Sequence, residues 1–357
     1  MAYTTIDDPS AFFQTVLYSG NGSTQSITNG GNSDLQPDWL WFKNRNSTQV
    51  HQLFDTNRGI ANALRSNATT VENTDDPNDR LTAINSDGFS LGDDGNPNNG
   101  SNTYVCWQWK ANGGTTSSNN DGSYTTTVQA NTTAGFSIVK YGDATSFSAS
   151  TPATIGHGLG KAPSWILIKN LDGTRDWGVH HVSNGAGKIM YLNLQDALAS
   201  STGFDNGTLP SSTVFTVNTL NVANGNNLEY IAYCWAPIQG YSKFGSYTGN
   251  ANADGPFVYT GFKPAWLMIR NTINGEDWLM WDIKRDEARE FGNPMSGRLK
   301  ANDAIQEVAG DDIDFLSNGF KIRTDSTYAN GSGNTIIYMA FAEHPFVSSK
   351  GVPVTAR

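Results

Sequence analysis

Several features that define other protein classes are scarce or missing in this sequence. It has only two cysteines, Cys106 and Cys234, so a framework of disulfides is not expected to stabilise it. Both lie in apolar, aromatic segments, where we expect small buried thiols. No apolar run approaches the roughly 20 residues of a membrane-spanning helix. The first five residues, MAYTT, lack the basic and apolar regions of a secretion signal.

Charge is also sparse and unbalanced. Charged residues make up only 16% of the chain, and the formal net charge is −10. No cluster of lysine and arginine is present, so neither nucleic acid nor an anionic membrane is an expected partner. Asn, Ser, Thr and Gly take the place of charge, a composition typical of turn-rich β-proteins that work outside cells or in virus particles.

The residues of common catalytic and metal sites do not occur at the spacing that those sites need. The one adjacent histidine pair, His180-His181, would point to opposite faces of a strand and could not chelate one metal ion. The glycine-rich turn around His157 lacks the Lys-Ser/Thr of a phosphate loop. There is no nucleophile elbow, no Cys–His arrangement and no zinc spacing. We therefore expect a protein that is not an enzyme.

One motif, Pro-x-Trp-x-x-x-(Lys/Arg)-Asn, occurs three times. Its copies are PDWLWFKN from Pro37, PSWILIKN from Pro163 and PAWLMIRN from Pro264. Each copy is apolar at both alternating positions, which predicts a strand covered on both faces, followed by a polar turn and a second strand. An aromatic ring follows each motif Asn by seven residues: His51, Trp177 and Trp278.

The spacing of the motif predicts an all-β protein of three tandem antiparallel β-sandwiches, jelly-roll-like and about 100 residues each. The expected boundaries are a leader at 1–13, repeats at 14–111, 134–240 and 241–346, and a C-terminal tail at 347–357. Residues 112–133 are rich in Gly, Ser, Thr and Asn and are predicted to be a linker. No comparable segment separates the second and third repeats, which we expect to pack together.

Acidic residues cluster in two loops of the first repeat, at 74–79 and 92–100. The simpler interpretation is a solvated acidic surface. The alternative is a calcium site, for which Asp93, Asp94 and Asn96 would provide oxygen ligands around a glycine turn, although the full EF-hand spacing is missing. No other cofactor is expected.

Ten tryptophans and thirteen tyrosines are the remaining signal. Aromatic rings stack on sugar faces and amide side chains bind sugar hydroxyls, so a sandwich rich in Asn and Trp is suited to glycans. The repeated tryptophans, such as Trp39, are expected in the core. Aromatic residues outside the repeat pattern are the candidate glycan-binding residues: Trp41, Trp107 and Tyr191.

The chain resembles a repeated β-rich module of structural proteins in marine bacteriophages, including cyanophages. The likeness rests on GHGLGKAP from Gly156 leading into WILIKN, on GSYTGN from Gly245 followed by GPFVYTGF, and on the ending YMAFAEHPF from Tyr338. The first repeat departs most, because its DLQP segment at 34–37 lacks the Gly-His-Gly turn. The resemblance implies a virion protein of the tail-fibre or host-recognition type and brings no catalytic residues.

Three functions remain open from the sequence. The first is a tail fibre or appendage protein that docks to a host-surface glycan, expected to be a homo-oligomer and, like many phage appendages, a trimer. The second is a capsid decoration protein that clamps neighbouring subunits, favoured by the lack of coiled-coil heptads for a shaft. The third is a glycan-degrading enzyme, against which the missing carboxylate pair argues. Under the first two, the partners are other virion proteins, and the chain is assembled in the host cytoplasm into the virion.

Overall fold

The computed structural model describes residues 3–73, 80–93, 95–143, 150–273, 275–286 and 293–353. This part of the chain consists of antiparallel strands joined by turns, with four α-helices of four residues each and two 3-10 helices, Pro9–Ala11 and Val182–Asn184. None of these helices is long and apolar enough to cross a membrane. The predicted all-β class is confirmed. Cys106 and Cys234 are buried free thiols, as expected.

The strands fall into three lobes that follow one another along the chain. The first lobe contains β1 (Phe13–Ser19), β2 (Gln25–Ile27), β3 (Trp39–Asn44), β4 (Gln52–Asp55), β5 (Leu81–Asn85), β6 (Gly88–Leu91), the irregular α1 (Gly95–Asn98) and β7 (Thr103–Trp109). The second contains β8 (Ser117–Asn119), β9 (Thr126–Asn131), β10 (Phe136–Gly142), β11 (Ala153–Gly156), β12 (Trp165–Asn170), β13 (Gly178–His181), β14 (Lys188–Tyr191), β15 (Ala199–Ser200), α2 (Thr202–Asp205), β16 (Val214–Val217) and β17 (Glu229–Trp235). The third contains β18 (Ser242–Thr248), β19 (Phe257–Tyr259), β20 (Phe262–Asn271), β21 (Leu279–Asp282), α3 (Ile283–Asp286), β22 (Met295–Lys300), β23 (Val308–Leu316), β24 (Gly319–Ile322), α4 (Thr327–Asn330) and β25 (Thr335–Pro345).

Each lobe has a main sheet with the same order of four strands. The order is β1-β7-β3-β4 in the first lobe, β10-β17-β12-β13 in the second and β18-β25-β20-β21 in the third. In each lobe the motif tryptophan also faces an aromatic residue of the closing strand: Trp39 with Trp109, Trp165 with Trp235, and Trp266 with Phe341. A second layer packs on the outer face of each main sheet. It is formed by the separate sheets β2-β6-β5 and β11-β16 in the first two lobes and, in the third, by β19-β24-β23 at the far end of the same eight-stranded sheet. Order and register therefore define corresponding positions in the three lobes.

Both faces of the main sheets are buried, which explains the uninterrupted apolar runs. In β3, Leu40 and Phe42 face a core inside the first lobe. Trp39 faces a different core, which also holds the motif tryptophans of the other lobes, Trp165 and Trp266. The prediction of strands covered on both faces is confirmed. Each lobe has a core of its own, and one further core lies between the lobes, which the spacing of the motif did not indicate.

The predicted linker at 112–133 is wrong for much of its length. β8 and β9 lie in this segment and extend the main sheet of the second lobe beyond β10. Thr126 and Val128 are buried, whereas Thr127 between them is exposed. This is the alternation of a half-buried strand, to which β-branched threonine is well suited. The polar composition of the segment concealed that pattern.

The lobes are joined in a closed cycle by side chains at corresponding positions. The aromatic ring that follows each motif meets a main-chain carbonyl oxygen of another lobe: Trp177 Nε1 donates to Arg65 at 2.9 Å, Trp278 Nε1 donates to Tyr191 at 2.9 Å, and His51 Nε2 lies 2.9 Å from Lys300. The second lobe thus contacts the first, the third contacts the second, and the first contacts the third. Head-to-tail contacts that close in this way form a ring of subunits, built here within one chain.

The cation of the motif strengthens the same boundaries. Each cation is buried and donates to a carbonyl oxygen of another lobe: Lys43 to Ala304 at 3.0 Å, Lys169 to Thr69 at 3.3 Å, and Arg270 to Asp196 at 2.6 Å. Burial lowers the pKa of both lysines to about 8 and that of Arg270 to about 10. The lowered pKa values show that burial still disfavours the charged form of each side chain. The hydrogen bonds to carbonyl oxygens offset only part of this desolvation cost.

Candidate binding surface

Two of the three predicted glycan-binding residues are buried, which contradicts that role. The exposed fraction is 1% for Trp41 and 0% for Trp107. Trp41 Nε1 donates to His51 Nδ1 at 2.8 Å, and Trp107 Nε1 donates to the Asp282 carboxylate of the third lobe at 2.9 Å. Both indoles face the core between the lobes, so a sugar arriving from solvent cannot stack on them. A tryptophan that does not recur at the corresponding position of the other repeats was therefore not a sign of surface exposure.

Tyr191 is partly buried and lines an open depression. Arg175, Asp176 and residues 219–222 form the other walls, which enclose about 380 Å³. Burial, with Asp176 and Asp196 nearby, raises the pKa of the Tyr191 phenol. The hydroxyl therefore stays protonated and able to donate at neutral pH. A role for Tyr191 in glycan binding remains a prediction.

The predicted calcium loop is only partly covered by the described residues. Asp93 is exposed, and Asn96 donates its side-chain amide to the Val50 carbonyl oxygen at 3.2 Å. Asp94 lies outside the described residues, as does the acidic loop at 74–79. Within the ranges that the structure describes, no group of three or more His, Cys, Asp or Glu side chains is placed to hold a metal ion. A calcium site therefore remains a prediction.

Two aromatic side chains are prominent on the surface of the third lobe. Phe257 and Tyr259 have exposed fractions of 47% and 46%. They lie on β19, at the edge of its sheet, on either side of the buried Val258. Side chains two residues apart on a strand share a face, so both rings point outward together. We call this patch, with the adjacent Lys243 and Tyr3, the aromatic surface.

Lys243 and Tyr3 hold the Tyr259 end of the aromatic surface. The Lys243 ammonium lies 5.3 Å from the centroid of the Tyr259 ring and donates to the Tyr259 carbonyl oxygen at 2.6 Å. The Tyr3 and Tyr259 hydroxyls are 3.1 Å apart, and Tyr3 also donates to the Gly261 carbonyl oxygen at 2.8 Å. Gly261 has a φ of +85°, and a Cβ there would lie 2.5 Å from the Tyr3 hydroxyl. Glycine is therefore required for this close approach.

The sequence signal for this surface is ambiguous. Phe257-Val258-Tyr259 is apolar at both alternating positions, as β3 is, and that pattern equally predicts a strand buried on both faces. The pairing of Val258 with Phe320 in β24 decides the matter, because it directs valine into the core and both rings toward solvent. Sequence reasoning therefore missed these residues.

A separate cavity of about 180 Å³ lies between the first and third lobes. Its most polar wall is already occupied by internal hydrogen bonds. The Gln14 side chain donates to the Ser10 and Ser33 carbonyl oxygens and accepts from the Gly31 amide. Because this amide holds the loop in place, we assign the cavity no ligand.

Two carboxylates share the outer face of β23. Asp312 accepts from Arg298 at 2.6 Å and from the Tyr328 hydroxyl at 2.6 Å. Asp314 accepts from Arg323 at 2.5 Å. A glycosidase needs an acid and a second carboxylate that face each other across a sugar. Here each carboxylate is engaged by an arginine instead of facing an open cleft.

A family model described as a domain of unknown function, DUF7483, matches residues 8–345. The chain belongs to this family. The match begins before β1 and ends with β25, so the DUF7483 domain contains all three lobes and every contact of the ring. No curated protein matches the sequence.

Proposed function

We propose that this DUF7483 protein is a non-enzymatic structural protein of a bacteriophage particle, part of a tail fibre or appendage that contacts a host-surface glycan. The observation that carries the proposal is the closed ring of three lobes. Its motif residues are used for contacts between lobes, which leaves the outward faces of the lobes free for partners. The resemblance to virion proteins of marine phages supports the same role.

The use of the motif supports a structural role. Motif side chains of an enzyme would be expected to reach an open cleft, whereas here the repeated cation, asparagine and ring are buried. Asn44, for example, accepts from the amides of Asn46 and Ser47 through its Oδ1 at 3.1 and 2.8 Å, which closes the turn after β3. These residues form a scaffold that is suited to presenting a surface.

The ring also supports attachment to a partner with threefold symmetry. Three similar lobes in a cycle offer three similar surfaces, so one chain can contact each subunit of a homotrimer at its axis. In that arrangement the three lobes of one chain would take the place of the three subunits of the homotrimer predicted from the sequence. Light scattering distinguishes the two arrangements, because a mass near 38.6 kDa supports a single-chain ring and three times that mass supports a homotrimer.

The same ring favours a second candidate, a capsid decoration protein that clamps neighbouring subunits. A closed shell also has threefold positions, and a chain with three similar faces fits them equally well. The third candidate, a glycan-degrading enzyme, gains no support from Asp312 and Asp314, since both are engaged by arginines.

Immunoelectron microscopy of purified particles tests the proposal. Antibody label at the tail or its appendages supports host recognition, and label spread over the capsid supports decoration. Particles without label would refute a virion role. Release of reducing sugar from host polysaccharide by the purified protein would refute the non-enzymatic part of the proposal.

A further inference from the structure

We propose that the aromatic surface of the third lobe binds an acidic glycan, a polysaccharide that carries carboxylate or sulfate groups. The sugar ring would stack on Phe257 or Tyr259, and the acidic group would pair with Lys243. The biological purpose of this binding rests on the proposed role in host recognition. The expectation that an acidic glycan binds rests only on the residues of the aromatic surface.

The first lobe serves as an internal control, because its exposed strand β2 shows what the strand that corresponds to β19 requires. The inward-facing residue pairs with a phenylalanine in each lobe: Ile27 with Phe89, Ile155 with Phe215, and Val258 with Phe320. This register gives the corresponding flanking residues: Ser26 and Thr28 in the first lobe, Thr154 and Gly156 in the second, and Phe257 and Tyr259 in the third. In the first lobe Ser26 and Thr28 are both exposed and small residues satisfy the fold, whereas in the second lobe Gly156 is buried against Asn119. The third lobe exposes two neighbouring rings at positions where the first lobe has Ser26 and Thr28, and adjacent exposed rings of this kind are candidates for a binding site.

Lys243 determines which sugars suit this surface. Its ammonium contacts the ring and the carbonyl oxygen of Tyr259, and no carboxylate within the described ranges pairs with it. The chain as a whole carries a net charge of −10, so an uncompensated cation beside two exposed rings is a local exception. Lys321, opposite Phe257 on β24, adds a second cation, although it pairs with the exposed Asp254 at 2.7 Å. A ligand with an apolar face and an anionic group matches both features.

The edge of β19 is poorly suited to another strand. Lys243 occupies the carbonyl oxygen of Tyr259, and lysine at a sheet edge is a common device against edge pairing. Tyr3 occupies the Gly261 carbonyl oxygen just beyond the strand. A ligand that stacks on the rings is compatible with these contacts, whereas a strand that pairs with β19 would have to displace them.

Affinity electrophoresis of the purified full chain tests the inference, with gels that contain alginate, dextran sulfate or neutral dextran. We expect alginate to retard the protein and neutral dextran to leave its mobility unchanged. The double variant Phe257→Ser with Tyr259→Thr carries the residues of the first lobe and should bind alginate about tenfold or more weakly. The matched control is Ile273→Ser, which removes an apolar side chain of similar exposure, 52%, elsewhere on the third lobe and should bind normally.

Lys243→Ala should weaken alginate binding and reduce its dependence on salt, because one charge contact is lost. Lys243→Arg should retain most of the affinity. Thermal unfolding checks that each variant is folded, and the single variant Phe257→Ser replaces the double variant if the latter is not.

Four results would overturn the inference. These are no binding of the wild-type chain to either alginate or dextran sulfate, equal binding by the wild-type and aromatic variants, retardation by dextran sulfate alone that disappears at physiological salt, and self-association of the wild type that the aromatic variants abolish. The last result would make the aromatic surface a contact between two copies. Because the purified chain is used, particles that carry no antibody label would refute the virion role without affecting this result.

Discussion

The Tyr233 hydroxyl of the second lobe donates to the Asp55 carboxylate of the first lobe at 2.6 Å. Asp55 is fully buried and also pairs with Arg58, with 2.5 Å between Nε and Oδ2. A corresponding bond joins Trp107 of the first lobe to Asp282 of the third. A buried carboxylate in one lobe therefore accepts a hydrogen bond from a side chain of another lobe. Separating the lobes would leave such an ion pair short of one donor.

The Tyr233→Phe variant should lower the free energy of unfolding by about 1–3 kcal/mol, because a buried carboxylate loses a donor while the ring is retained. Urea unfolding at neutral pH measures the change. Tyr124→Phe is the control, since its hydroxyl bonds to Ser150 at the surface, and a change within about 0.5 kcal/mol is expected there. Equal losses in both variants would contradict the importance of the bond between lobes.

Lys169→Met should lower the free energy of unfolding by about 1–3 kcal/mol. The Lys169 ammonium donates to the Asn170 carbonyl oxygen at 2.8 Å and to Thr69 of the first lobe at 3.3 Å, and methionine leaves both acceptors buried without this donor. Lys169→Arg should be tolerated better, because the corresponding residue of the third lobe is Arg270. A Met variant more stable than the wild type would show that desolvation of the ammonium outweighs its hydrogen bonds.

Acid should destabilise the protein through its buried histidines. Burial lowers the pKa of His51 and His181 to about 3 and that of His180 to about 4, below the value of about 6.5 expected in the unfolded chain. The unfolded state therefore binds more protons below pH 6.5. Stability should be unaffected by these groups above that pH and should fall as the pH decreases toward 4, by up to about 1.4 kcal/mol per pH unit for each histidine.

Urea unfolding at a series of pH values from about 7 to about 4 measures this slope, because this range spans the ordinary histidine pKa of about 6.5 and the lowered pKa of His180, about 4. His51→Gln should reduce the slope by the contribution of roughly one proton. The His344 side chain is 45% exposed, so His344→Gln controls for the loss of a histidine as such. A wild-type slope that stays flat down to pH 4 would refute the assignment of neutral buried histidines.

Heating should unfold the three lobes together. Trp165, Tyr233 and Trp235 of the second lobe face the core between the lobes, so residues 112–240 alone would expose a large apolar surface. Differential scanning calorimetry should show one transition, with equal calorimetric and van't Hoff enthalpies. The isolated 112–240 fragment should aggregate or remain unfolded. Separate transitions, or a soluble folded fragment, would show that the lobes are independent domains.

The sequence by itself determined the all-β class and the antiparallel strands. Apolar runs after a proline, such as the one that begins at Trp39, and the Gly- and Asn-rich turns between them act over a few residues, so a short window contains the signal. The same local reasoning failed at 117–131, where a polar composition concealed two strands. It recognised alternation only where the alternating residues were strongly apolar.

Only the tertiary structure decided which aromatic residues are exposed and how the lobes close into a ring. Trp107 and Phe257 both lie on strands, yet one is buried and the other is about half exposed. Strand periodicity gives each side chain a face but does not say what covers that face. Here the cover comes from remote parts of the chain, as in the bond between Tyr233 and Asp55, which are 178 residues apart. Contacts at that separation depend on how whole lobes pack, and no local pattern encodes them.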